Sequence, residues 1–188
     1  MQVTVCKTPE GVVIPDLKLV ELKLHGDARG FFVERYREDA FAAAGLPSQF
    51  KQDNHSRSAT NVLRGVHYQF DKPQGKLVGC VRGRIWDVAI DIRPASPTYG
   101  KSYGVELSDM NARLLWVPPG FAHGFCVLGD DVADVFYKVT EVYNPAGERG
   151  IAWNDPEFAV EWPLSDPLVS ARDKEQPSFA EYKKDPKF

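Results

Sequence analysis

Short runs in which apolar and polar residues alternate, or in which β-branched and aromatic residues cluster, recur along the chain between turn signals. They predict strands over Leu17–Leu24, Gly30–Arg35, Val62–Tyr68, Lys76–Val81, Arg84–Asp91, Tyr103–Leu107, Leu114–Val117, Gly124–Leu128 and Val135–Thr140. The Arg84–Asp91 run carries the two-residue period most clearly, with Trp86, Val88 and Ile90 on an apolar face and Ile85, Asp87, Ala89 and Asp91 on the other. Only Asp39–Ala44, closed by Gly45, and the stretch Pro177–Lys184 read as helical. Successive β–α–β crossovers cannot be built from so little helix, so the expected fold is all-β, an antiparallel sandwich or barrel with short peripheral helices.

Turns such as Gly26-Asp27, Val81-Arg82-Gly83, Pro94–Pro97 and Pro118-Pro119-Gly120 punctuate the strands, but no stretch is long enough to act as a linker. With 188 residues and no internal repeat, one domain is expected. From Tyr143 onward the pattern becomes loop-like yet keeps Trp153, Phe158 and Trp162, which predicts a tail packed on the barrel. The chain has 14 prolines, 15 glycines and 12% aromatic residues, a composition that suits neither disorder nor a coiled coil. A net charge of −3 argues against general nucleic-acid binding, which needs a clustered surplus of Lys and Arg, so an anionic ligand must meet a local basic pocket. No apolar run approaches the length of a membrane span or an export signal, and three cysteines without C-x-x-C spacing fit reduced thiols. A soluble cytoplasmic protein is expected.

Two of the four histidines sit in informative surroundings. One is in Leu63-Arg64-Gly65-Val66-His67-Tyr68-Gln69; the other is in Pro118-Pro119-Gly120-Phe121-Ala122-His123, which resembles the P-x-G-x-x-H pattern of the cupin superfamily of jelly rolls. In metal-binding cupins the earlier motif supplies H-x-H, but here Gln69 stands at the second ligand position. Losing that nitrogen donor breaks the three-histidine set, so no metal is expected.

Further polar segments interrupt the strands: Asp27-Ala28-Arg29-Gly30-Phe31-Phe32-Val33-Glu34, Gln52-Asp53-Asn54-His55-Ser56, Gln74-Gly75-Lys76, Tyr137-Lys138 and Ser170-Ala171-Arg172-Asp173. Together with the histidine motifs, in this order, they resemble the motif series of the dTDP-4-dehydrorhamnose 3,5-epimerase family from about Val12 to Asp173. The resemblance implies a cupin-like jelly roll, usually homodimeric and without cofactor, that inverts C3 and C5 of dTDP-4-dehydro-6-deoxy-D-glucose. It implies His67 as the base, Asp173 as its partner, Tyr137 as the proton donor and Lys76 beside the C4 oxygen. Arg29, Glu34, Gln52, Asp53, Asn54, Arg64, His123, Glu148 and Arg172 match positions lining the nucleotide-sugar site, and Phe31 and Tyr143 are candidates to stack on the base.

The chemistry accounts for these residue types. C3 and C5 both flank the C4 ketone, so removing either proton yields an enolate with its charge on the C4 oxygen. An imidazole of pKa about 6.5 can deprotonate so weak a carbon acid only if that oxyanion is stabilised, a task for a positioned cation. Inversion then requires proton return from the opposite face. The nearest rival readings are a single-carbon epimerase and a 3,4-ketoisomerase on a related nucleotide 4-keto sugar. A carbohydrate-binding module would have no use for the His67, Lys76, Tyr137 and Asp173 set, and Gln69 weighs against a metal-dependent cupin oxygenase.

Overall fold

Buried backbone N–H and C=O groups must be paired, and segments rich in β-branched residues do so through ladders. In the computed structural model, which describes residues 1–188, fourteen strands carry the fold. In chain order they are β1 Gln2–Lys7, β2 Val13–Glu21, β3 His25–Asp27, β4 Gly30–Phe32, β5 Gln52–Ser58, β6 Val62–Gln69, β7 Lys76–Arg82, β8 Arg84–Asp91, β9 Ser102–Ser108, β10 Arg113–Val117, β11 Phe121–Leu128, β12 Ala133–Val139, β13 Glu148–Gly150 and β14 Leu168–Val169. Three short helices, α1 Glu38–Ala43, α2 Ala171–Lys174 and α3 Phe179–Tyr182, and a 3₁₀ turn at Pro156–Phe158 complete it. One sheet has the order β1-β2-β10-β7-β12-β5 and the other β13-β6-β11-β8-β9, with β14 parallel to β6. All other pairings are antiparallel, which makes the fold the expected jelly-roll sandwich.

The inner faces of the sheets meet in a core of Ile14, Leu17, Val78, Cys80, Ile85, Ala89, Leu107, Leu115, Phe125, Val127 and Val135 among others. All three cysteines are buried and unpaired. The outer face of the first sheet is covered by α1 and its flanks, which bury Phe41 and Leu46 against Val20, Leu77, Leu114 and Trp116. On the outer face of the second sheet, Val66, Val88, Ile90 and Ala122 pack under Ile151, Phe158, Phe179 and Tyr182. The tail after Tyr143 is therefore docked on the barrel; α3 falls within the predicted helical stretch Pro177–Lys184, and β13, β14 and α2 add order that the loop-like sequence did not imply.

This cover shows which face of β8 looks inward. Its apolar face of Val88 and Ile90 lies under the tail, while the face carrying Asp87 and Asp91 turns into the barrel with Ile85 and Ala89. Both aspartates are fully buried, and each is hydrogen-bonded, Asp87 to His123 and Asp91 to Arg93, Ser96 and Thr98.

Several strands differ from the patterning, and β1 at Gln2–Lys7 was not among the expected runs. β2 starts earlier than Leu17 because the register jumps from Val5 opposite Lys18 to Cys6 opposite Ile14, leaving a bulge where the missing N–H of Pro15 has no ladder to break. The run from Gly30 to Arg35 keeps only Gly30–Phe32 as strand, in a hairpin with β3. β5 was not predicted at all. Phe179 is 3% exposed and packs against Tyr99, Phe158 and Tyr182, so Phe179→Ala should destabilise the protein by about 3–5 kcal/mol in a urea melt. An unchanged melt would show that the tail adds nothing to the barrel.

Candidate active site

A cleft of about 700 Å³ opens between the two sheets and is lined from both sides. Alternation along β5 turns Gln52, Asn54 and Ser56 into it, while Asp53 on the other face pairs with Lys138 at 2.8 Å. On the first sheet Lys76 opens β7 and pairs in register with Val139 of β12, which puts Lys76 and Tyr137 diagonally adjacent on one face. Across the cleft, His67 of β6 lies directly opposite His123 of β11 in the ladder of the second sheet.

Two glycines allow that pairing. A Cβ on Gly65, whose φ is +128°, would lie 2.6 Å from Gly124 Cα, and one on Gly124 would lie 2.7 Å from the Arg64 carbonyl oxygen. Only glycine at both positions lets β6 and β11 approach this closely around the register shift after His123.

His67 is fixed by Asp173. Its Nε2 donates to Asp173 Oδ1 at 2.6 Å, which leaves Nδ1 as the ring atom with a free lone pair. Asp173 is brought there by α2, whose N-cap Ser170 accepts from the Asp173 N–H, and its second oxygen accepts from the Gly65 N–H at 3.3 Å. Burial pushes the Asp173 carboxyl up, but the His67 hydrogen bond and charge, helped by Gly65, hold it below the ordinary range.

Lys76 is set deep in the site, and burial pushes its ammonium down to about 8 against the opposing pull of Glu148 and Asp87. Its one hydrogen bond runs to the His67 carbonyl at 3.4 Å. Burial, then the charge of Glu148, raises the Tyr137 hydroxyl above its ordinary value, so it stays a protonated donor over the working range. Glu148 accepts from Tyr143 Oη at 2.9 Å and pairs with Arg172 at 2.7 Å; burial raises its carboxyl, but these two bonds hold it below the usual range. Arg64 donates from Nε to Ser58 Oγ and from Nη2 to the Arg57 carbonyl on the exposed rim. Gln52 ties Asn54 and the Tyr143 backbone N–H together.

Of the residues expected in the site, His67, Lys76, Tyr137, Asp173, Gln52, Asn54, Arg64, His123, Tyr143, Glu148 and Arg172 line this cleft. Arg29, Phe31, Glu34 and Asp53 lie outside it. Arg29 is paired with Asp27 in the exposed β3–β4 hairpin, Phe31 is 48% exposed there, and Glu34 pairs with Arg37. Gln69 is consumed structurally: its amide donates to the Lys72 and Val142 carbonyls and accepts from the Asn144 N–H. Ser56, Gln74 and Ser170 line the cleft and were not anticipated, nor was Asp87 beneath His123.

The model of the dTDP-4-dehydrorhamnose 3,5-epimerase family matches residues 12–181. The chain belongs to that family. It is an isomerase by that membership, and a curated dTDP-4-dehydrorhamnose 3,5-epimerase from Pseudomonas aeruginosa is 51% identical to it over 172 residues, covering 90% of this chain and 94% of the relative. The epimerase of Legionella pneumophila, solved with dTDP-4-keto-L-rhamnose, superposes with a TM-score of 0.87 at 42% identity, covering 95% of this chain and 94% of that one. A dTDP-4-dehydrorhamnose 3-epimerase from Streptomyces niveus is 42% identical over 157 residues, covering 82% of this chain and 75% of the relative.

Proposed function

We propose that this chain inverts both C3 and C5 of dTDP-4-dehydro-6-deoxy-D-glucose, giving dTDP-4-dehydro-L-rhamnose. The observation that carries the reading is the division of groups across the cleft: an oriented imidazole on one sheet, and a phenol beside an ammonium on the other. His67 Nδ1 takes the C3 proton, the C–H electron pair forms the C3–C4 double bond, and the carbonyl electrons move onto the C4 oxygen. The Lys76 ammonium stabilises that oxyanion. As the enolate collapses to the ketone, Tyr137 delivers a proton to C3 from the opposite face. His67 then loses its proton to water, the Tyr137 phenolate regains one, and the cycle repeats at C5. Asp173 holds the His67 tautomer and stabilises the imidazolium formed midway.

Arg64 and Arg172 at the cleft rim suit the diphosphate, and the half-exposed Tyr143 ring suits the base. The reading includes a homodimer, because Phe31 and Phe32 stand 48% and 68% exposed on one hairpin and β1 and β5 are open sheet edges. Three buried free thiols, and no helix long and apolar enough to cross a membrane, fit a cytoplasmic site of action.

The similarity to a 3-epimerase keeps single-carbon inversion as the second reading. Proton NMR of the product separates the possibilities. Inversion at both carbons is expected; inversion at C3 alone would favour the second reading, and a carbonyl moved to C3 would favour a ketoisomerase.

A further inference from the structure

The side-chain amides lining the cleft are Gln52, Asn54 and Gln74, and the protein leaves each a different capacity to bind. Gln52 donates to Asn54 and accepts from the Tyr143 N–H, so both ends of its amide are spent. Asn54 uses its oxygen in that bond and keeps only a donor. Gln74 is the reverse. Its Nε2 donates to the Glu141 carbonyl at 2.7 Å, and because a carbonyl can only accept, that bond fixes which way round the amide sits. Oε1 is left as an acceptor without a protein partner, and it is not a buried one.

The backbone beside this amide is held on several sides. The Gly75 N–H donates to Thr140 Oγ1 at 2.9 Å, and the Gly75 carbonyl accepts from the Thr140 N–H at 3.0 Å. A Cβ on Gly75 would lie 2.3 Å from the Trp116 ring, so the chain passes against that ring with no room to spare. The acceptor is therefore in place before a ligand arrives, two residues ahead of Lys76 and on the same wall of the cleft.

What such an atom recognises follows from its lone pairs. An amide oxygen attracts donors and repels other acceptors, which makes it unsuited to a phosphate oxygen or a ketone. Next to the ketone that Lys76 faces, the sugar offers two donors, the hydroxyls at C2 and C3. We propose that Gln74 is a specificity-determining residue for the reaction: its Oε1 accepts from one of these ring hydroxyls while Lys76 meets the C4 oxygen. This rests on the reaction and on the role given to Lys76 above. A sugar lacking that hydroxyl leaves the acceptor unpaired, so the site discriminates against it.

Gln74→Met keeps the length of the side chain and removes the acceptor. The test measures kcat/KM for deuterium exchange at C5 with dTDP-4-dehydro-6-deoxy-D-glucose and with its 2-deoxy and 3-deoxy analogues, all of which keep the C5 proton and the C4 ketone. The wild type should prefer the parent sugar to at least one analogue, and in Gln74→Met that preference should shrink by about 3–10-fold. The analogue concerned tells which hydroxyl is read. Calorimetry should find the affinity for dTDP alone unchanged. A variant that keeps the wild-type preferences, losing equally on all three sugars or on none, would overturn the proposal and leave Gln74 a brace for its loop. Weaker binding of dTDP by the same factor would also overturn it, because the acceptor would then read the base. Should the methionine variant fail to melt cooperatively, Gln74→Ala is read by the same comparison. A wild type that exchanges neither carbon of the parent sugar would overturn the reaction itself, whereas an active wild type with unchanged preferences in the variant overturns this proposal alone.

Discussion

His67→Asn is expected to lose solvent-hydrogen exchange at C3 and C5 together, by about 10²–10⁴-fold, with dTDP binding retained. An asparagine amide can still donate toward Asp173, so the buried carboxylate is not stranded, and none of the candidate diphosphate contacts is removed. What disappears is the only oriented ring nitrogen with a free lone pair and a carboxylate behind it on that wall, other than His123, whose Asp87 lies fully inside the barrel. Deuterium uptake followed by NMR checks the result. Exchange near the wild-type rate would mean that another base operates, with His123 the first to examine.

Tyr137→Phe should separate two events that the wild type joins. The variant keeps the base, the Lys76 ammonium and the packing of the ring against the intersheet core, and it deletes only the hydroxyl. Abstraction by His67 and return of a proton to the same face should continue, so substrate recovered from deuterated water should carry label. Inverted product should form about 10²–10⁴-fold more slowly. Equal loss of exchange and inversion would make Tyr137 a group that positions the sugar, and undiminished inversion would return it to packing alone.

The strands legible in the sequence are those rich in apolar, β-branched and aromatic residues: β7 and β10 are apolar on both faces, buried between the intersheet core and the α1 cover, and β8 keeps one continuous apolar face under the tail. β5 was illegible for the converse reason: its inward residues, Gln52, Asn54 and Ser56, face a polar cleft, so both faces are hydrophilic and the period vanishes. Most of the tail looked like loop because β13, β14 and α2 have three, two and four residues, too short to establish a period, whereas α3, capped by Ser178, fell within the predicted helical stretch.

The site divides along similar lines. His67, Lys76, Tyr137 and Asp173 were named from motifs lying on four separate elements, and the cleft brings all four together. Resemblance supplied that grouping, since no spacing in the chain links Lys76 to Asp173. Asp87 had a signal of its own, a carboxylate inside the most regular apolar strand, but alternation alone assigned it to a polar face. A polar face in a barrel strand can look inward at a cleft as readily as outward at water. The tail's cover over Val88 and Ile90 reveals which is the case here.

The central claim is that base and acid act from opposite sheets on both carbons beside the ketone. Its most direct test is wild-type turnover of dTDP-4-dehydro-6-deoxy-D-glucose in deuterated water, with NMR reading both the position of label and the configuration at each carbon. The account predicts one deuterium at C3 and one at C5, each at an inverted centre, with little label in substrate recovered early. Deuterium at carbons of retained configuration, or inversion without incorporation, would contradict it.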